Sequence, residues 1–382
     1  MDPILLLVLL VVVLALAFDY SNGFHDAANS IATIVATRVL TPTQAVAWAA
    51  FFNFAAAALT HTGVAATVGK GIIHKEVVDV YVIMACLVGA VSWNILTWYL
   101  GLPTSSSHAL IGGLVGAAIA KAGVGAVVAS GLIKTLQFIV IAPFLGLALG
   151  FILRTAAEWL LIKARPGPVY AWSRRLQLLS SALYSLGHGS NDAQKTMGII
   201  AVLLVSMKDQ VPALQAAPDW LMPPSDLKSM PWVIVIAAHT AIALGTLSGG
   251  WRIVKTMGMR ITDLDTVGGV CAETAGAVTL FVATSLKVPV STTHTITGSI
   301  IGVGTARRMS AVRWSVASGI LLAWVLTIPA AAATSSIVYF LATRFWPLFP
   351  QPVQMVMNVG VLIGLGYAFY IWMQASRTGK GH

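Results

Sequence analysis

Five apolar runs, at residues 3–18, 80–102, 131–153, 231–248 and 315–343, limit what this chain can become. Each approaches or exceeds the roughly 20 residues a helix needs to cross the hydrocarbon of a bilayer. Inside lipid every backbone N–H and C=O must be paired without water, so uniformly apolar runs of this length fold as helices. Only 9% of the 382 residues are charged, against about 25% in soluble domains. The chain therefore reads as an all-α polytopic membrane protein. Its net charge of +10 fits basic residues in short loops that fix orientation, so the charge does not call for nucleic acid as a partner. Cys86 and Cys271 lie within apolar segments and read as small core residues. The first run lacks a basic leader and meets a polar motif rather than a cleavage site, so it reads as a retained membrane helix.

The chain repeats itself. Gly23-Phe-His-Asp26-Ala-Ala-Asn29 returns 166 positions later as Gly189-Ser-Asn-Asp192-Ala-Gln-Lys195. Pro103-Thr-Ser-Ser-Ser-His108 returns 186 positions later as Pro289-Val-Ser-Thr-Thr-His294, and the match continues to Gly116 and Gly302. The stretch from Trp251 to Thr262, read as a loop, holds Arg252, Lys255 and Arg260 without an acid, as a cytoplasmic segment would. Its counterpart, 69–79, offsets Lys70 and Lys75 with Glu76 and Asp79. Opposite loop charge predicts inverted-topology repeats, the usual build of secondary transporters. The expected division is a first repeat over 1–153, a basic cytoplasmic linker over 154–177, a second, inverted repeat over 178–343, and a C-terminal membrane helix and tail over 344–382.

Ionisable groups at membrane depth cost at least about 2.5–3.5 kcal/mol, so each needs a partner or a function. Asp26, Asp192 and Glu273 are the acids that cannot be assigned to loops. Asp26, beside Asn22, Gly23 and Asn29, predicts a helix broken to line a cavity. Carboxylates with amide oxygens suit a hard cation such as sodium, and a carboxylate can equally bind a proton. Lys195, in the repeat position of Asn29, either pairs with Asp192 or stands as a fixed ammonium where the other half would bind a cation.

The hydroxyl clusters serve differently. Thr104, Ser105, Ser106 and Ser107, and Ser291, Thr292 and Thr293, each follow a proline and precede a glycine-spaced apolar stretch. They read as helix starts, where hydroxyls cap free N–H groups and the positive dipole end favours an anion. Each helix start, with the apolar helix before it (80–102 and 266–288), forms one of two re-entrant hairpins in this reading. Brought together, two such starts would hold one tetrahedral oxyanion. His25, His108, His188 and His294 adjoin these motifs and can donate to phosphate or carry protons.

Taken together, these residues resemble the inorganic phosphate transporter (PiT) family. The motifs that carry the resemblance are Asn22-Gly-Phe-His-Asp-Ala-Ala-Asn-Ser-Ile-Ala-Thr33, Gly187-His-Gly-Ser-Asn-Asp-Ala-Gln-Lys195, Gly249-Gly-Trp-Arg-Ile-Val-Lys-Thr-Met-Gly258 and the two Pro-x-Ser-x-x-His elements. The resemblance implies symport of inorganic phosphate with sodium or protons and a homodimer in a bacterial plasma membrane, with no enzymatic activity and no cofactor. It places Asp26, Asn29, Asn191 and Asp192 among cation and substrate residues, with Asp26, Asn29 and Asp192 as possible sodium ligands. It places Glu273 among the essential acids, and Ser105 to Ser107 with Ser291 to Thr293 among phosphate ligands. The His25-Asp26 and Gln194-Lys195 versions of the motifs resemble the proton-coupled branch, in which phosphate can travel as a neutral metal complex. A passive oxyanion channel and a sulfate transporter are the rival readings. A serine-histidine membrane enzyme ranks last, because neither cluster has a Gly-x-Ser-x-Gly elbow.

Overall fold

The computed structural model describes residues 2–59 and 62–349, and among these the chain is helical, with no strand beyond one isolated bridge between Ile73 and Val127. The C-terminal membrane helix expected over 344–382 lies, past residue 349, outside the described residues. The first half contains α1 (Pro3–His25), α2 (Ala27–Ala36), α3 (Pro42–Ala55), α4 (Gly63–Lys70), α5 (Val80–Leu100), α6 (Ser106–Ala122) and α7 (Ala129–Leu161). The second contains α8 (Pro166–Met207), the single turn α9 (Pro212–Gln215), α10 (Trp232–Ser248), α11 (Trp251–Lys255), α12 (Thr266–Ser285), α13 (Thr292–Arg307) and α14 (Trp314–Phe340). Among the described residues, five helical stretches are long and apolar enough to cross a membrane, or up to seven if each bent helix pair is one span. The protein is a multi-pass membrane protein.

Exchanging the halves leaves the packing pattern unchanged. α1 packs on α10 as α8 packs on α3, α5 on α6 as α12 on α13, and α1 on α5 as α8 on α12. Each glycine-spaced helix lies against the last long helix of the opposite half, α6 on α14 and α13 on α7. The seats match in detail. A Cβ at Gly112 would stand 2.6 Å from the Ile328 carbonyl oxygen, next to Pro329, and a Cβ at Gly298 would collide with the carbonyl of Pro143. Those prolines, 186 positions apart, lie inside α14 and α7. The duplication extends to the helix starts: Asp79 accepts from the Val82 N–H at 2.8 Å and caps α5, while Asp265 accepts from the Gly268 N–H at 2.7 Å and caps α12.

Two expectations about local structure change. The basic linker over 154–177 is mostly helix, since α7 continues to Leu161 and α8 begins at Pro166. The charge there misled because Arg154 is turned inward, pairing with Asp265 in a two-point contact at 2.5 and 3.0 Å. The expected loop at 251–262 is α11 followed by a π-helical turn, Thr256–Arg260. It is set off from α10 by a 64° bend at Gly249–Gly250, and Gly249 has a φ of +69° that favours glycine. The break expected at Asp26 is present as a single residue between α1 and α2, while its counterpart is unbroken, because α8 runs straight through Asp192.

Candidate functional site

Both hydroxyl clusters head helices, as their sequence predicts. Ser105 accepts from the His108 N–H at 3.2 Å and Ser291 from the His294 N–H at 3.1 Å, so each is an N-cap. The first N–H groups of α6 and α13 have no partner within their own helix. The two starts meet at the centre of the molecule. His108 and His294 contact edge to face with ring centroids 4.5 Å apart, and His294 stacks on Trp324 at 3.6 Å. The Trp324 indole N–H donates to the Pro103 carbonyl at 2.9 Å, tying α14 to the opposite half's cluster.

The polar residues of α1, α2 and α8 converge on this meeting point. Lys195 Nζ donates to Asp192 Oδ1 at 2.5 Å, to Ser107 Oγ at 2.6 Å and to the Val290 carbonyl at 2.8 Å. One ammonium thus joins α8 to both helix starts. Thr292 donates to Asp192 Oδ2 at 3.2 Å, and the Asn29 amide donates to Thr292 at 3.2 Å and to Thr293 at 2.9 Å. Tyr184 holds the start of α13 by donating to the Thr292 carbonyl at 2.9 Å. Thr104 donates to Thr97 at 2.9 Å rather than facing Lys195, and Ser106 Oγ has no hydrogen-bond partner.

Asp26, His188 and Asp192 each offer an atom, all lying within 4.8 Å of one another. The two carboxylates of the duplicated motif therefore share one spot. His25 Nδ1 lies 2.6 Å from Asp26 Oδ1, and its other nitrogen lies 3.1 Å from the Thr97 hydroxyl. His188 Nδ1 lies 3.2 Å from Asn53 Oδ1, and its Nε2 lies 3.3 Å from Asp192 Oδ2. An imidazole that donates from Nδ1 to Asn53 presents its Nε2 lone pair to a carboxylate, so a proton or a cation belongs between them. Oxygen pairs suit sodium, whereas an imidazole ligand suits a proton or a softer metal. Asn191 donates to Thr284 at 3.0 Å, away from this cluster, and Asn22 Oδ1 has no hydrogen-bond partner. None of the sequence-predicted site residues is more than 3% exposed, so the site is buried within the helices.

Comparison with known proteins bears on this geometry. A model described as "Phosphate transporter family" matches residues 22–335, a stretch that contains all of the candidate residues above. The chain belongs to that family. It is 55% identical over 344 residues to a probable low-affinity inorganic phosphate transporter of Rhizobium meliloti, covering 90% of this chain and 99% of the relative. To a protein of the same description from Bacillus subtilis it is 42% identical, over 89% and 98% of the two chains. A solved structure described as "The sodium-dependent phosphate transporter" superposes with a TM-score of 0.76 at 25% identity, covering 88% of this chain and 98% of that one. Members of this family are transporters, and no enzymatic reading remains.

Within the family's matched stretch, Glu273 lies in a separate polar nest. Its Oε1 accepts from Thr33 at 2.6 Å and Gln177 at 3.1 Å, and its Oε2 accepts from Ser180 at 2.5 Å. Sequence reading found Glu273 and missed Thr33, Gln177 and Ser180, since single neutral polar residues carry no spacing signal in such helices. It also missed Thr97, Asn53 and Tyr184, and it missed Asp19, a carboxylate of α1 that is fully buried.

Proposed function

We propose that the chain carries inorganic phosphate across the plasma membrane with a coupling cation, by alternating access of its two halves around the shared site. The observation that supports this best is the convergence of α6 and α13, whose hydroxyl-headed starts meet while Asp26 and Asp192 come together beside them. The N–H and hydroxyl donors provide for an oxyanion, and a cation on the carboxylates removes the repulsion an anion would meet there. Burial of every site residue supports a transporter over an open pore. The symmetric packing supports two repeats, over 1–153 and 178–343, that rock against each other, and the inverted relation between them rests on loop charge.

Protons are the favoured coupling ion. Lys195 occupies the ground where the first motif has Asn29, and the site's Asp26 and Asp192 have histidines beside them. Sodium is the alternative, as in the structurally similar transporter. Phosphate is favoured over sulfate because monobasic phosphate can offer a proton to a carboxylate.

Uptake of labelled phosphate into proteoliposomes under an imposed pH gradient, then a sodium gradient, tests the proposal. Concentrative uptake driven by the pH gradient is expected. Equilibration without accumulation would leave the passive channel, and sulfate uptake at the same rate would overturn the substrate. A chelator in the same assay separates free phosphate from a neutral metal complex.

A further inference from the structure

Asp19 lies two turns before Asp26 on α1 and just outside the stretch that the family model matches. It is fully buried, and neither carboxylate oxygen has a hydrogen-bond partner at normal distance among the described residues. A bare carboxylate in such surroundings is costly and is relieved by a partner or by a proton. The charged groups that act on it through space are Asp192 and Lys195 of α8. Lys195 cannot serve as the partner, because an ammonium has three donors and these are committed to Asp192, Ser107 and Val290. α5, also packed on α1, carries no acid, lysine, arginine or histidine, and α10 carries only His239, whose Nδ1 lies 2.8 Å from the Val235 carbonyl. On α1 itself, His25 is engaged with Asp26.

The polar side chains around Asp19 complete the argument. Asn22 and Thr196 face it as donors to its ionised form, and among the described residues Asn22 Oδ1 and Thr196 Oγ1 have no other partner. The carboxylate can accept from both, and the carboxylic acid can still accept with one oxygen while the other holds the proton. The same neutral side chains therefore serve both protonation states, and no fixed cation among the described residues pins Asp19 in the charged one. We propose that Asp19 is the residue that carries the coupling proton, binding it from one side and releasing it to the other while phosphate occupies the site between α6 and α13. This rests on the proton-coupled reading above.

The test compares wild type, Asp19→Asn and Asp19→Glu in proteoliposomes, measuring concentrative phosphate uptake under a pH gradient and phosphate exchange at equal pH. Exchange needs the substrate site and its reorientation but no net proton movement. Asp19→Asn is expected to lose concentrative uptake and keep exchange, and Asp19→Glu to keep both. Concentrative uptake by Asp19→Asn, or loss of exchange along with it, would overturn the assignment and leave proton coupling to another group. If wild type itself accumulates phosphate only with sodium, the coupling reading fails and takes this inference with it.

Discussion

Lys195 and Asp192, one turn apart on α8, hold an ion pair at 2.5 Å that is also the junction of the two helix starts. Removing one member of a buried pair strands the other charge, at a cost of about 3–5 kcal/mol. Lys195→Met alone should therefore lower the melting temperature in detergent sharply. The double variant Lys195→Met/Asp192→Asn should recover most of that loss while uptake stays absent. If the single and double variants melt alike, the pair is not a structural unit.

Asp26 makes no such pair with a fixed cation, since its partner is the imidazole of His25. Its carboxylate is expected to share with Asp192 the positive charge that offsets the bound phosphate. Asp26→Asn should abolish phosphate uptake without moving the melting temperature by more than a few degrees. Normal uptake by this variant would remove Asp26 from the coupling machinery.

Thr292 and Thr293 both receive the Asn29 amide, but only Thr292 passes its proton on to Asp192. The Thr293 hydroxyl remains able to donate to an anion. A hydrogen bond to a charged group contributes about 1.5–3 kcal/mol, so Thr293→Ala should raise the KM for phosphate roughly ten- to hundredfold. Thr292→Ala should instead lower the maximal rate of coupled uptake. Equal effects of the two on KM would contradict this division of labour.

Much of this site could be read from the chain because it is written twice. The doubled Asp26 and Asp192, and the doubled Pro-x-Ser-x-x-His elements, name the groups that meet at the centre. What could not be read was which side chains turn toward whom. His188 joins the carboxylates through a fold that brings α2, α3 and α8 together, and no local spacing encodes that. Asp19 directly follows an apolar run and carries no spacing signal, although it is buried with Phe18, Ser21 and Asn22 against neighbouring helices. Charge also misled at 154–175, where Arg154 turns inward to pair with the partly exposed Asp265 while neighbouring basic residues face outward. The pairing of Asp79 with Asp265 across the repeat went unnoticed because a capping aspartate looks like any loop acid.

Asp265 gives the structure an acid-sensitive point. Burial alone would raise its carboxyl pKa, but the two-point Arg154 contact and the Gly268 N–H outweigh that and hold it below the ordinary value. A depressed pKa in the folded state contributes stability above the unfolded value, near about 4, which is lost as pH falls further. The melting temperature of wild type should drop more steeply below about pH 4 than that of Asp265→Asn. The side chain is partly exposed, so the difference should be modest and should shrink at high salt. Identical acid profiles would exclude this contact as a source of acid lability.

The last prediction concerns how the helix starts are held in place. Gly298 lies against the Pro143 carbonyl and Gly302 against that of Leu147, while Gly112 and Gly116 meet Ile328 and Ala332 in the mirrored seat. Backbone lies on the other side of each contact, so an added side chain cannot be accommodated by a rotamer change. Forcing extra carbons into such a contact costs about 1–3 kcal/mol where the helices can part slightly. Gly298→Leu should lower the melting temperature and, by pushing α13 away from α7, displace Ser291 to Thr293 from their partners on α2 and α8. Uptake should fall more than stability does. A Cβ at Gly319, in α14, would meet no atom of the described residues within 4 Å, so Gly319→Leu serves as the control and should leave both unchanged. Comparable damage from the two substitutions would show that leucine at any helical glycine is harmful here, and that the proline-seated contact has no special part in positioning the site.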